Sequence, residues 1–225
     1  MHEFEVATNR LTFQDVEEGH LASLVAAHEA CFPGYFLTNL GAAFLNAYYR
    51  NYLESECGFG TVAIDTDGTV LAFATGTSDL SGQDARLVKR HFALIAASLL
   101  KGAVVSSALR RQLSERMARF APVVRRLALG SGPAKAPAAA NGKPRIPAVT
   151  LTSLGVLPDQ RGSGLSSRTV EAFEEQVYGR GFQRVRVSTG LDNERAIAFY
   201  RKIGWTVEGV WPKQNRIDFE RVARP

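Results

Sequence analysis

The chain has 225 residues, 45% of them hydrophobic and 22% charged, which is ordinary for a soluble globular protein with one large domain or two small ones. Its two cysteines, Cys31 and Cys57, have neither a CxxC spacing nor a metal-ligand spacing, which favours free thiols and excludes a disulfide-rich scaffold. The first residues contain no basic segment followed by an apolar one, so we expect no signal peptide and a cytoplasmic protein.

The net charge of +5 is distributed unevenly along the chain. Residues 86–145 contain 13 Lys or Arg side chains and a single acid, Glu115, whereas the rest of the chain has 14 basic and 21 acidic residues. The basic character therefore belongs to one internal segment. The total charge does not by itself indicate a nucleic-acid-binding protein.

The first part of the chain alternates strand and helix patterns. Residues 4–8 alternate apolar and polar side chains, which predicts a strand. Apolar side chains recur at helical spacing over residues 15–31 and again over residues 39–53, which predicts two helices. Residues 32–35, Phe-Pro-Gly-Tyr, separate the two helices because proline and glycine interrupt a helix.

Two short apolar runs, residues 59–64 and 70–75, predict a β-hairpin. Asp67-Gly68 lies between them, and this dipeptide favours a tight turn because both positions tolerate positive φ. The same turn lacks the further ligands and the closing glutamate of a calcium-binding loop, so we expect no metal site.

Residues 84–129 have near-continuous helical periodicity, which Gly102 and Pro122 are expected to divide into two or three helices. Residues 92–109 approach the length of a membrane span, but Lys101 lies among them and would cost about 2.5–3.5 kcal/mol at the bilayer centre. A spanning helix is therefore not expected. Residues 130–145 are rich in Gly, Pro and Ala and have no periodicity, which predicts a flexible linker.

Residues 149–156 form a β-branched and apolar run that predicts a largely buried strand, and Pro158 ends it because proline cannot donate to a sheet. Residues 161–164, Arg-Gly-Ser-Gly, follow, and a helical pattern starts at Leu165. Such a turn collects free N–H groups at the positive end of a helix dipole, and glycines let the backbone approach a ligand closely. Arg161 adds a charge suited to phosphate oxygens, so we expect the turn to hold the pyrophosphate of a cofactor.

The remaining residues predict three more strands and one helix. Residues 184–189 alternate as a strand, and residues 193–203 have the pattern of a short helix that Gly204 ends. Residues 205–210 and 216–222 predict a closing pair of strands.

Two motifs carry a family resemblance. Residues 161–166, Arg-Gly-Ser-Gly-Leu-Ser, resemble the Arg/Gln-x-x-Gly-x-Gly/Ala signature of the GCN5-related N-acetyltransferases, the GNAT family. Residues 193–205 resemble the family's Asn-x-x-Ala-x-x-Phe-Tyr-x-x-x-Gly-Phe helix and follow at the expected distance. The resemblance implies an α/β fold with a mixed, centrally splayed sheet flanked by helices. Residues 1–83 and 146–225 would form its two halves, with residues 84–129 as a helical insertion before the central strand.

The resemblance also implies transfer of an acetyl group from the co-substrate acetyl-CoA to a primary amine. The turn would bind the pyrophosphate, the central strand would pair with the pantetheine arm, and Tyr200 would protonate the departing thiolate. A backbone N–H near Leu154 would stabilise the thioester oxygen, and Asn193 would hydrogen-bond the cofactor arm. The residues implied in cofactor binding are Leu154, Gly155, Val156, Arg161, Gly162, Ser163, Gly164, Leu165, Ser166 and Asn193.

Two positions depart from the family pattern. Ser166 stands where Gly or Ala is usual, which leaves the affinity for pyrophosphate open. Thr150 stands where many relatives have a glutamate on the central strand, which leaves the general base unidentified. His28, Glu29 and Glu54 are candidates for that base by composition alone.

The acceptor and the role of the basic segment stay open at this level. We expect a small-molecule amine such as an amino sugar, bordered by residues 32–39, and no nucleic acid, because the basic segment has few aromatic side chains for stacking. That segment would cap the acceptor site or lie on an anionic membrane surface through residues 86–126. A homodimer is a further open expectation. A non-catalytic acyl-CoA-binding module acting as sensor or scaffold is the alternative class.

Overall fold

The computed structural model describes residues 11–105 and 147–223. The strands are β1 (Thr12–Asp15), β2 (Gly58–Ile64), β3 (Val70–Thr77), β4 (Ala148–Val156), β5 (Arg184–Thr189), β6 (Thr206–Trp211) and β7 (Arg216–Val222). The helices are α1 (Leu21–Cys31), α2 (Phe36–Asn39), α3 (Ala42–Leu53), α4 (Leu80–Val105), α5 (Leu165–Gly179) and α6 (Glu194–Lys202). The seven strands form one sheet in the order β1-β2-β3-β4-β5-β7-β6.

The sheet is mixed because one of its neighbouring pairs, β4 with β5, is parallel and the others are antiparallel. Helix α5 connects the two parallel strands, as a parallel pair requires a crossover. Pairing between them runs from Ala148 opposite Arg184 to Leu151 opposite Val187. Strand β4 continues to Val156 without further pairing to β5 in the described structure. This divergence is the central splay, and the predicted fold class is confirmed.

Helices cover both faces of the sheet and define two cores. On one face, α5 and α6 pack on the central strands around Phe173, Val187 and Phe219. On the other face, α1 and α3 pack around Leu24, Leu45 and Phe73. The central strand therefore lies between two apolar layers, which is why six of its nine residues are apolar or glycine.

Helix α4 packs against α3. The side chain of Asn51 donates from Nδ2 to the carbonyl oxygen of Gln83 at 3.0 Å, and Arg86 donates to Ser55 Oγ at 2.6 Å. Leu87 is buried with Phe44 in a small apolar cluster beside them. The start of the helical insertion is thus attached to the same face of the sheet as α1 and α3.

The first helix is shorter than predicted. Asp15 is the last residue of β1 and pairs with Thr61, and the N–H of Val16 donates to Gly60 O at 2.8 Å. The predicted helical start at residue 15 is therefore wrong, because pairing with β2 takes precedence over the local apolar spacing. The strand predicted at residues 4–8 lies outside the described residues.

The insertion helix differs from the prediction at its start and at Gly102. It begins at Leu80 rather than residue 84, because Asp79 Oδ1 accepts from the N–H of Gly82 at 2.9 Å and caps it. It bends at His91 (φ −121°, ψ 26°) and continues through Gly102, so the predicted break at Gly102 is wrong. No helix in the described ranges has both the length and the apolar character needed to cross a bilayer. Pro122, the linker at 130–145 and residues 106–126 of the proposed membrane-facing segment fall outside the described residues.

The other predicted elements are confirmed within a few residues. They are the second helix, the hairpin strands, the central strand ended before Pro158, the helix from Leu165, the strand at 184–189, the helix before Gly204 and the closing pair of strands.

Candidate active site

The turn between β4 and α5 contains two glycines in a left-handed backbone conformation. Gly162 has φ +87° and Gly164 has φ +85°, a left-handed conformation that costs an L-residue about 1–2 kcal/mol. Gly164 is also the N-cap of α5. No atom lies within 4 Å of a Cβ built on either glycine, so the space in front of the turn is open.

Several N–H groups of this turn have no partner in the described chain. Those of Gly162, Ser163, Gly164 and Ser166 make no hydrogen bond there, whereas the N–H of Leu165 is 3.3 Å from Ser163 Oγ. The Ser163 hydroxyl in turn donates to Gln160 O at 2.7 Å and fixes the loop. Free N–H groups at a helix N-terminus attract an anion, since the helix dipole places partial positive charge there.

Arg161 is exposed at the edge of the turn. Its guanidinium donates to the carbonyl oxygen of Cys31 at 3.4 Å, so it reaches from the turn to the end of α1. Burial raises the pKa of the Cys31 thiol to about 11, with Arg161 opposing the shift. Cys31 is therefore a neutral thiol at neutral pH.

The three predicted strand positions lie on the splayed part of β4. Leu154, Gly155 and Val156 pair on one edge with β3, opposite Ala74, Phe73 and Ala72 respectively. Their other edge is not paired with β5 in the described structure. Leu154 packs against the α5–α6 core, whereas a Cβ on Gly155 would meet the Phe73 ring on the opposite face. An extended molecule can therefore approach this backbone edge from the splay.

Asn193 is the N-cap of α6. Its Oδ1 accepts from the N–H of Ala196 at 3.1 Å, and its side chain is exposed. The Nδ2 group makes no hydrogen bond within the described residues, so it is available to an acceptor atom outside the chain. The sequence motif thus contributes both a helix cap and a free amide donor.

Tyr200 is 5% exposed in the α5–α6 core. Its ring centroid lies 5.2 Å from that of Trp205 and 5.6 Å from that of Phe219, and Leu154 packs against the same core. Burial raises the pKa of the Tyr200 phenol well above its usual value, so the hydroxyl is protonated at neutral pH. It makes no hydrogen bond in the described chain and is a free donor.

A polar network on the opposite face of β4 was missed by sequence reasoning. Thr75 pairs with Ser153 and Gly76 with Leu151, so Thr152 is the extra residue of a β-bulge. Thr152 Oγ1 donates to Thr75 O at 2.9 Å and accepts from the Tyr52 hydroxyl at 3.0 Å. The signal in the sequence is the adjacent polar pair Thr152 and Ser153, which breaks the alternation of Val149, Thr150 and Leu151.

The three candidates for a general base differ in their surroundings. His28 is 3% exposed, its Nδ1 lies 2.5 Å from the Tyr49 hydroxyl, and burial lowers its pKa to about 4, so it is neutral at pH 7. Glu54 forms a salt bridge with Arg90, and Glu29 is exposed on α1. Within residues 11–105 and 147–223, no three His, Cys, Asp or Glu side chains are grouped as a metal site.

Comparison with known proteins agrees with the fold and the turn. The model of the Acetyltransferase (GNAT) family matches residues 138–205, which include β4, the glycine turn and the Asn193–Tyr200 helix. The matched segment is 68 of the 225 residues, and the resemblance to the GNAT family is confirmed for that segment. This segment contains both sequence motifs, residues 161–166 and 193–205.

Similar proteins include enzymes with different acceptors. N-alpha-acetyltransferase 30 of Schizosaccharomyces pombe is 29% identical over 55 residues, a segment that is 24% of this chain and only 37% of the relative. A protein assigned to the GNAT family from Desulfovibrio desulfuricans has the same fold, with a TM-score of 0.56 and 12% identity over 95% of this chain and 99% of its own. AAC(6')-Iy, solved with a CoA-containing bisubstrate analogue, has a TM-score of 0.54 and 13% identity over 90% of this chain and 95% of its own.

Proposed function

We propose that the protein is an N-acetyltransferase that transfers an acetyl group from acetyl-CoA to a primary amine of a small molecule. The observation that carries the proposal is the position of the glycine turn. Its unpartnered N–H groups follow the C-terminal part of β4, which runs from Thr152 to Val156 without pairing to β5. An anion-binding turn and an open strand edge therefore follow one another along the chain. This arrangement matches CoA, in which a pyrophosphate is joined to an extended arm that contains amide groups.

In this proposal the turn binds the pyrophosphate. The free N–H groups of Gly162, Ser163, Gly164 and Ser166 donate to its oxygens, and Arg161 supplies a full positive charge. Leu165 contributes less than the motif implies, because its N–H is already close to Ser163 Oγ. The left-handed glycines support the fit, since they leave no side chain in front of these donors.

The pantetheine arm lies along the open edge of β4 in the manner of an added strand. The backbone of Leu154 to Val156 offers hydrogen-bonding groups there, because β5 does not pair with it. Asn193 Nδ2 donates to the same arm from the start of α6. Both contacts place the thioester end in the splay, beside the core that contains Tyr200.

The chain's own groups assist the transfer as donors. As the amine nitrogen bonds to the acetyl carbon and the carbon–sulfur bond breaks, the N–H of Leu154 stabilises the negative charge on the acetyl oxygen. Tyr200 directs its hydroxyl proton toward the departing sulfur, which starts as a thiolate whose conjugate acid has a pKa of about 8.5. Since burial raises the pKa of Tyr200 well above that of a thiol, the hydroxyl donates a hydrogen bond to the sulfur and keeps its proton, while the proton that the amine nitrogen loses on forming the amide passes to solvent, from which the thiolate is protonated.

The acceptor class is proposed from the similar proteins, whereas the co-substrate is proposed from the geometry of the site. AAC(6')-Iy is described with an acetylneamine analogue and S. pombe N-alpha-acetyltransferase 30 by its action on an α-amino group, so both are consistent with an amine acceptor here. Residues 32–39 border the acceptor in the proposed arrangement, and Tyr35 there is 58% exposed. The polar bulge at Thr152 lies on the same face of the sheet as α1 and α3.

The proposal is tested by incubating the full chain with acetyl-CoA and a library of amines that contains amino sugars, linear amines and peptide N-termini. Mass spectrometry of the products should show a gain of one acetyl group on a small amine. Peptide N-terminal acetylation with no small-molecule product would contradict the proposed acceptor class. Tight acetyl-CoA binding without any acetylated product would support the non-catalytic module instead.

A further inference from the structure

Glu174 is a buried carboxylate that contacts the segment after α6. It lies on α5, and its Oε1 accepts from Trp205 Nε1 at 2.9 Å. Its Oε2 lies 3.4 Å from Nε of Arg221 on β7. The Arg221 guanidinium donates in turn to Ile203 O at 2.8 Å. Both oxygens of the carboxylate are therefore connected, directly or through Arg221, to residues 203–205.

The partner of this carboxylate departs from the motif that residues 193–205 resemble. That motif ends in Gly-Phe, whereas this chain has Gly204-Trp205. Phenylalanine has no polar atom, whereas the tryptophan ring brings one N–H donor into the core. A buried donor without an acceptor destabilises a folded protein, and so does a buried carboxylate without a donor. Trp205 and Glu174 therefore satisfy each other and are useful to this fold only as a pair.

Trp205 is connected to Tyr200 through its backbone and through its ring. Its N–H donates to Tyr200 O at 2.9 Å and closes the turn that ends α6. The two ring centroids are 5.2 Å apart in the same core. The Tyr200 hydroxyl makes no hydrogen bond in the described chain, so packing alone sets the position of that ring. Because protein cores are close-packed, a shift of the indole ring moves the phenol ring beside it.

We propose that Glu174 positions Tyr200 for acetyl transfer, holding Trp205 by its indole N–H and the end of α6 through Arg221. The inference rests on the proposed function, in which Tyr200 donates a hydrogen bond to the departing sulfur. Glu174 is a positioning residue, since it acts through its neighbours. A misplacement of about 1 Å can lower a rate by up to about 100-fold. The effect should fall on kcat, because the proposed contacts of acetyl-CoA lie on the glycine turn, β4 and Asn193.

The test replaces the carboxylate in the full chain. Glu174→Leu removes both contacts and leaves an apolar side chain in the core, so kcat should fall about 10-fold while the Kd for acetyl-CoA changes by less than about twofold. Glu174→Gln keeps an oxygen for the indole N–H and should retain kcat within about threefold of wild type. Val177→Ala is the matched control, since Val177 is buried one turn along α5 in the same core, and kcat should be unchanged.

Combination with Tyr200→Phe distinguishes positioning from general damage to the core. If Glu174 acts through the Tyr200 hydroxyl, Glu174→Leu should have little further effect on kcat once that hydroxyl is absent. An equal loss of kcat in both backgrounds would overturn the inference. Wild-type kcat in Glu174→Leu would overturn it as well.

A measurement without turnover separates the inference from the proposed function. In protein isotope-labelled at the ζ carbon of tyrosine, the nuclear magnetic resonance signal of Tyr200 is the one missing from Tyr200→Phe. This signal should shift in Glu174→Leu and return toward its wild-type position in Glu174→Gln. If the wild type transfers no acetyl group but the signal shifts, the proposed function fails and the link between Glu174 and Tyr200 stands. An unchanged signal in Glu174→Leu would overturn the link.

Discussion

A Cβ atom on Gly155 would stand 2.4 Å from Cε1 of Phe73, closer than such atoms approach in folded proteins. The Phe73 ring thus occupies the side-chain position of residue 155 on the α1 face, and Cys31 Sγ lies 3.2 Å from the same point. The contact fixes the strand on which the co-substrate is proposed to lie. Gly155→Ala should lower the free energy of unfolding by about 1–3 kcal/mol, because the added methyl group forces the core to shift.

Denaturant unfolding measures this change, and Gly19→Ala is its control. No atom lies within 4 Å of a Cβ on Gly19, so that variant should unfold within about 0.5 kcal/mol of wild type. If Gly155→Ala is as stable as wild type, the close packing of Phe73 against β4 is incorrect.

Gly164 and Gly181 form a matched pair at opposite ends of α5. Both have left-handed φ, +85° and +83°, and neither has an atom within 4 Å of a built Cβ. Replacing either glycine with alanine should cost about 1 kcal/mol of stability. Only Gly164→Ala places a methyl group among the proposed pyrophosphate donors, so it alone should weaken acetyl-CoA binding, by about 10-fold. Isothermal titration calorimetry measures the affinity of each variant for acetyl-CoA. Equal affinities in the two variants would argue against the turn as the binding site.

Tyr200→Phe should lower kcat by about 100-fold or more and change the Kd for acetyl-CoA by less than about twofold, because only a hydrogen-bond donor is removed. Tyr178→Phe is the control. Tyr178 has a buried hydroxyl without a partner in the described chain and packs against the same core, so its loss should leave kcat unchanged. Full turnover by Tyr200→Phe would eliminate the donor role.

Glu174 gives the fold a pH dependence that can be measured separately from activity. Its Oε1 accepts from Trp205 Nε1 at 2.9 Å, and burial raises its pKa from 4.5 to about 7 despite the opposing charge of Arg221. Between these two values the folded state retains a proton that the unfolded state releases. The contribution of Glu174 to stability is therefore greatest below pH 4.5 and falls as the pH rises through 7.

Glu174→Gln removes this titration. The stability of wild type relative to the variant should be higher at pH 5 than at pH 8, as measured by urea unfolding at both values. Glu175→Gln removes the neighbouring exposed carboxylate and should leave the pH dependence intact. Parallel pH profiles for wild type and Glu174→Gln would show that the carboxyl does not titrate as described.

The sequence predicts those parts of the site that are formed by residues close together in the chain. The proline stop, the two glycines and the helix start lie within ten residues of one another, so their order alone identifies the turn. Asn193 and Tyr200 are likewise read from one helix. Most strands and helices were predicted for the same reason, since periodicity is a property of adjacent residues.

The acceptor side could not be predicted in this way. Tyr52 and Thr152 are joined by a hydrogen bond although 100 positions separate them, and no local pattern indicates that contact. The start of α1 was misread because the apolar spacing at Val16 suits a helix, and only pairing of Asp15 with Thr61 shows that this part of the chain is extended. Both the Tyr52–Thr152 contact and the extended conformation at Asp15 depend on residues that are distant in the chain. A single sequence does not show which distant residues are in contact.

Strands β3 and β4 are sheet neighbours although about 70 residues separate them in the chain. In topological terms those residues are an enlarged hairpin loop, and closing it costs only about 2–3 kcal/mol more chain entropy than closing a loop of four residues. The loop can therefore change in length and composition while the strand register stays the same. The glycine turn lies outside this connection, so such changes would leave the proposed co-substrate site in place.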